Sequence, residues 1–210
     1  MTEDRFTALW LRCLLDGVSS EPRVIFQDLK RRYSEPHRHY HTKDHVSHCL
    51  QELDRVAHLA GDLDAVEMAI WFHDAIHHPL AKDNELQSAE FFIRVADKQI
   101  NPALVSKVYD LILVTTHESV PVSPDERLMI DVDLSSFGLD WRAFDADSQA
   151  LRKESYERPD DEFYTAQLCF DRSLLERPTF FSTSFFRDCY EHKARVNVER
   201  RIRETEAMGY

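Results

Sequence analysis

Apolar residues recur at helical spacing along most of the chain. Phe6, Leu9, Trp10, Cys13 and Leu14 trace one stripe, and after a break from Gly17 to Pro22 a second runs through Val24, Ile25, Leu29 and Tyr33. The polar, turn-rich SEPHRHYHTKD interrupts this rhythm. Thr42 then stands where it would cap a third helix, which passes through His45, Cys49, Leu53 and Val56 towards Gly61. The run DAVEMAIWFHDAIHH is apolar on nearly every side until Pro79 stops it, the pattern of a central helix enclosed by others.

Two amphipathic helices are predicted from Asp83 to Ile100 and from Pro102 to Thr116, the second with proline at a favoured starting position. Pro121 and Pro124 mark a loop. A helix containing Arg127, Leu128, Ile130 and Leu134 leads to Gly138, and three more follow at roughly 140–157, 160–175 and 183–206. Only four glycines are present, and Asn-Gly or Asp-Gly hairpin signals are few. The expected fold is all-α, and with no linker or internal repeat the 210 residues read as one domain.

Charge and composition narrow the function classes. A net charge of -12 repels a polyanion over most of the surface, so no nucleic-acid polymer is expected as a partner. A small anionic substrate is compatible with that surface given a local positive lining, and Arg23 to Lys43 is the basic stretch; a solvated helix face explains it equally well. No apolar run approaches membrane-spanning length and the N-terminus lacks a basic signal region, which predicts a cytoplasmic protein without membrane association. Cys13, Cys49, Cys169 and Cys189 are dispersed and read as reduced thiols.

Histidine is unevenly placed. Nine of the eleven lie between His37 and His78. The pair His73-Asp74 ends the most apolar helix, and burying a carboxylate beside an imidazole there is costly without compensation. A divalent cation held by His nitrogen and Asp oxygen would compensate; the dipeptide alone fits a satisfied buried pair equally well. His45 lies upstream on another helix, and IDVDLSSFG downstream offers Asp131 and Asp133. His48, one turn after His45, reads either way.

The order H…HD…D in an all-helical chain resembles the HD-domain metal phosphohydrolase superfamily. RHYHTKDHV, AIWFHDAIHHP, NELQSAEFF, DVDLSSFG, RKESYE and FFRDCYEHKARVNVERRI extend the resemblance over nearly the whole chain to the bacterial family described as predicted metal-dependent HD phosphohydrolases. The resemblance implies an HD-type helical bundle, with a core at about 22–138 and C-terminal helices at about 140–206. By position it implies His45, His73, Asp74 and Asp133 as metal ligands. Asp131 is two residues from Asp133 and cannot share its helical face, so one of the two ligates, and register favours Asp133.

Further roles follow with their alternatives open. If the helix persists, His77 projects on the face of His73 and Asp74, where it would donate a proton or bind phosphate; a histidine at a fraying helix end is the other reading. Glu85 would orient a water or accept its proton, or serve only as a first-turn acid favoured by the helix dipole. His117 is a candidate substrate contact or extra ligand. Arg38 or His41 would hold a phosphate, and Tyr40 would stack on a base or pack in the core. Arg152 and Tyr156, at i and i+4, would close the pocket from the other side or act as solvated and packed residues.

These expectations combine into hydrolysis of a phosphate ester or anhydride in a small phosphorylated metabolite, foremost a nucleotide, with one divalent ion. Mn, Fe, Co, Ni or Zn suits mixed imidazole and carboxylate ligands better than Mg. Rival readings are an HD-type di-iron oxygenase and a non-catalytic, metal-containing ligand-sensing module. A homodimer is compatible with the sequence.

Overall fold

The computed structural model describes all residues, Met1–Tyr210, and is all-α, with ten α-helices and no strand. In chain order they are α1 (Glu3–Cys13), α2 (Pro22–Arg32), α3 (Lys43–Val56), α4 (Leu63–Phe72), α5 (Asn84–Ala96), α6 (Pro102–Leu113), α7 (Pro124–Asp133), α8 (Trp141–Glu154), α9 (Asp160–Glu176) and α10 (Ser184–Ala207). Short 3-10 turns extend α3, α6 and α7. No helix is long and apolar enough to cross a membrane.

The all-round apolar segment is the central element. Every residue of α4 from Ala65 to Phe72 is buried, and the helix packs against α1, α3, α5, α6 and α7. Capping follows the sequence signals: Thr42 accepts from the Asp44 amide at 3.2 Å, Asp62 from Ala65 at 3.1 Å, and Ser123 from Glu126 at 3.1 Å. Pro22, Pro102 and Pro124 open their helices.

The central helix is shorter than its apolar run predicts. It stops at Phe72, with His73 as C-cap, rather than continuing to Pro79. Side chains take up the carbonyls that would otherwise continue the ladder: Tyr33 Oη donates to Trp71 O at 3.1 Å, His73 Nδ1 to Ile70 O at 3.0 Å, and Arg38 to Asp74 O and Ala75 O at 2.7 and 3.1 Å. Ser88 Oγ brackets Ile76, accepting from its amide and donating to its carbonyl. The α4 exit is thus an irregular segment built by α2, α5 and the loop before α3.

The C-terminal half closes over α7. The turn Leu134–Gly138 is buried against α10, where a Cβ on Gly138 would overlap the side chain of Tyr190. Asn197 Nδ2 donates to Phe137 O and Leu139 O at 2.8 and 3.0 Å. This turn immediately follows Asp133, so packing by α10 bears directly on where that carboxylate sits.

Candidate metal centre

Three elements deliver the four expected ligands to one place. His45 comes from the first turn of α3, His73 and Asp74 from the α4 exit, and Asp133 from the last residue of α7. His45 Nε2 lies 3.2 Å from His73 Nε2. Each carboxylate meets both imidazoles: Asp74 Oδ2 is 2.9 Å from His73 Nε2 and 3.5 Å from His45 Nε2, and Asp133 Oδ1 is 3.1 Å from His45 Nε2 and 3.5 Å from His73 Nε2. His45, His73 and Asp74 form a group that could hold a metal ion, and His45, Asp133 and the Cys49 thiol form another that shares His45.

A donor and acceptor inventory distinguishes this cluster from an ordinary ion pair. His73 Nδ1 donates its hydrogen to Ile70 O, which leaves a lone pair on Nε2 of the neutral ring, facing a carboxylate oxygen and a second ring nitrogen. With both rings neutral and unprotonated at Nε2, acceptors would face acceptors in a buried site, and a proton or a cation has to stand between them. The electrostatics show the same demand for positive charge. Burial alone would lower the His73 pKa, yet Asp74 and Asp133 hold it well above its usual value. Burial would raise both carboxylates, yet the imidazoles hold Asp74 and Asp133 below the usual range.

Asp131 points elsewhere. Its two oxygens accept from the Ser182 and Thr183 amides, both at 2.7 Å, fixing the entry to α10; burial raises its pKa to about 6 despite those bonds. The two aspartates therefore divide as helical geometry requires, with Asp133 at the cluster.

A cleft of about 220 Å3 opens onto the cluster, lined by Tyr40, His41, Glu85, His117 and Phe170 besides His45, His73, Asp74 and Asp133. The Glu85 side chain makes no hydrogen bond to another residue, and burial, with the charges of Asp74 and Asp133, raises its pKa despite a bond to its own backbone. His117, in a left-handed conformation at φ 58°, places Nε2 3.1 Å from Asp133 Oδ2. Tyr40 lies with its ring centroid 5.0 Å from that of His45, and its hydroxyl is 3.2 Å from Ser136 Oγ. His48 is directed away, with Nε2 2.8 Å from Ser135 Oγ.

Four expectations require correction. Arg38 does not offer its guanidinium to a phosphate: its side chain is fully buried and engages Glu35, His41 O, Asp74 O and Ala75 O. It positions the α4 exit. Arg152 is held by Asp160, Ser155 O and Arg158 O at the α8 to α9 connection. Tyr156 is 65% exposed and lies beyond the end of α8 at Glu154, so the assumed i, i+4 face does not exist there. His77 does not share a helical face with His73 and Asp74, because α4 has already ended; it lines an adjoining cavity instead.

Glu154 is the residue that sequence reasoning missed. One of its oxygens accepts from the amides of His39, Tyr40 and His41 at 2.7, 2.7 and 2.8 Å, and the other accepts from His41 Nδ1 at 2.6 Å. Burial would raise its pKa, but His41 brings it down to about 2. For His41, burial opposes the charged form while Asp74 and Glu154 more than reverse that, raising its pKa. The block RKESYE contained the only available signal. No protein-family model matches the chain, and neither does any curated protein or solved structure.

Proposed function

We propose that the chain is a metal-dependent phosphohydrolase acting on a small phosphorylated metabolite, foremost a nucleotide. The observation that carries this reading is the buried meeting of His45, His73, Asp74 and Asp133, where two imidazole nitrogens and two carboxylates converge beneath an open cleft. The separations between the two imidazoles and from each imidazole to each carboxylate, 2.9 to 3.5 Å, suit one cation. Ligands bonded at about 2.1 Å lie about 3.0 Å apart at a right angle and about 3.4 Å apart at the tetrahedral angle. The His73 hydrogen bond to Ile70 O supports the same fit, since a ligating imidazole is held through its other nitrogen. Cys49, whose thiol pKa burial pushes up, serves as packing beside His45 rather than as a ligand.

A divalent cation bound there lowers the pKa of its water and neutralises charge on a phosphoryl group. Imidazole with carboxylate favours Mn, Fe, Co, Ni or Zn. Glu85, unengaged and lining the same cleft, receives the proton of the attacking water. His41, whose charged form Asp74 and Glu154 favour, binds a phosphate oxygen, and Tyr40 flanks the substrate. The order H…HD…D and the overall net charge of -12, which disfavours polymeric polyanions, support this substrate class.

Incubation of the purified chain with Mn2+ and a panel of nucleotides, alarmones and simple phosphate esters tests the reading. Release of phosphate, pyrophosphate or triphosphate is expected. Glu85→Gln should lower kcat by about 100-fold or more with bound metal unchanged. A panel that yields none of these products under any of the metals overturns the proposal and leaves a ligand-sensing module; iron-dependent oxygen consumption would indicate the oxygenase.

A further inference from the structure

Beside the cleft lies a second group of ligand-type side chains from three separate segments: His41 before α3, His77 beyond α4, and Glu154 at the end of α8. His41 Nδ1 is 2.6 Å from Glu154 Oε2, and His77 Nε2 is 3.5 Å from the same oxygen. The two imidazoles stack with centroids 4.3 Å apart. One ligand atom from each of the three residues lies within 4.8 Å of the other two.

The decisive detail is His77 Nε2. It is out of contact with solvent and has no hydrogen-bond partner, a costly condition for a buried polar atom. Its backbone is held in place independently, since His37 Nε2 donates to His77 O at 2.9 Å. Glu154 is fixed just as firmly: one oxygen is saturated by three amides, which leaves the other aimed between the imidazoles. An adjoining cavity of about 250 Å3, lined by these three residues together with Ser155 and Arg158, has room for water to complete a coordination shell.

We propose that His41, His77 and Glu154 form a second divalent-metal site, separate from the His45, His73, Asp74 and Asp133 centre. Two nitrogens and one carboxylate oxygen select a borderline transition ion such as Zn2+ or Co2+ over Mg2+ or Ca2+. Binding replaces the proton between His41 Nδ1 and Glu154 Oε2, and that proton leaves to solvent, so in the loaded chain the ion takes over from the charged His41 ring as the positive group beside the phosphate. The 2.6 Å separation then has to open by about 0.4 Å to reach the spacing of two ligands at a right angle. His41 lines both cavities, so the second ion lies next to the cleft and keeps positive charge at its wall. It also ties together three segments distant in sequence, and so stabilises the folded chain by mass action.

The experiment is a metal count on the full chain, stripped with chelator, reloaded with Co2+ or Zn2+ and desalted. Wild type should hold two ions per chain. Asp133→Asn should keep one, His77→Ala should keep one, and the double variant should keep none, with cobalt absorption falling in the same steps. The His77 side chain makes no hydrogen bond, so its removal leaves the fold intact, as far-UV circular dichroism would record. Glu154→Gln, which keeps an oxygen for the three amides, should also lose one ion and serves if His77→Ala misfolds. Wild-type stoichiometry in both His77→Ala and Glu154→Gln overturns the proposal. A chain that hydrolyses no phosphate but still loses one ion in these variants overturns the proposed function and leaves the second site standing.

Discussion

The molecule buries charge in two regions by opposite means. Between α9 and α10, Arg201 meets Asp171 as a fork: Nε donates to Oδ2 at 2.9 Å, Nη2 donates to Oδ1, and Nη1 donates to Ser148 Oγ at 2.9 Å. The guanidinium also lies 4.5 Å from the centroid of Phe144. Opposite charges here satisfy each other, and nothing is left for a visitor. Between α3, α4 and α7, two carboxylates and two imidazoles converge with no guanidinium or ammonium among them. A region closed on itself holds the fold together, whereas carboxylates gathered on imidazoles draw in positive charge, as a proton or as a cation.

The sharpest way to break this contrast is to cut one carboxylate in each region. Asp133→Asn should abolish metal binding at the His45 and His73 centre and abolish activity, while leaving a helical fold; His73→Ala and Asp74→Ala should do the same. Asp171→Ala strands a buried guanidinium and should cost about 3–5 kcal/mol of stability with metal content unchanged. Asp131→Asn belongs with Asp171, since it loosens the entry to α10 rather than the ion. Metal analysis and denaturant melts read all five variants, and greater metal loss in Asp131→Asn than in Asp133→Asn would reverse the assignment.

Acid should probe a third arrangement, intermediate in effect. Glu154 is satisfied by backbone amides and by His41, and its pKa falls from 4.5 to about 2. A carboxyl depressed on folding contributes stability that is fully present above its unfolded value and is lost as pH falls through the folded one. In chelator-treated protein that contribution, about 3 kcal/mol, should disappear between roughly pH 4.5 and 2. Urea melts of wild type and Glu154→Gln across this window check it: the difference between them should shrink on acidification, and a gap constant with pH would show that Glu154 is not ionised in the fold.

What could be read from the sequence was set by local physics. The periodic stripes of α1, α3 and α6, the Thr42 cap and the proline opening α6 are properties of neighbouring residues, and they place these helices within a few positions. His73-Asp74 stood out because an apolar run ends in two polar groups. The separation of Asp131 from Asp133 followed from the angle between residues two apart. The errors at His77, Arg152 and Tyr156 have one source. Each assumed that a helix continues to its next breaker, whereas α4 ends six residues before Pro79 could stop it and α8 ends at Glu154. Tyr33, Arg38 and Ser88 end α4 from a distance, and Glu154 reaches back to His39, Tyr40 and His41 from more than 110 residues away. No window of sequence contains such partners.

Arg38 offers the finest test, because it is fully satisfied itself yet supports the region that is not. Its guanidinium donates to the carbonyls of His41, Asp74 and Ala75, so it fixes the backbone on which the Asp74 carboxylate is carried. Removing a group that orients a ligand typically weakens metal binding 10- to 100-fold, about 1.4–2.7 kcal/mol. Arg38→Ala should show that loss with the helical fold preserved. Arg38→Lys should recover part of it, since an ammonium reaches one or two of these carbonyls but lacks the planar fork. Titrating metal against rate separates this role from phosphate binding. A positioning residue yields a variant whose rate returns towards wild type as metal is raised, with KM for substrate little changed at saturating metal. A phosphate ligand would instead leave metal affinity intact and raise KM at every metal concentration, which would return Arg38 to the substrate side of the cleft.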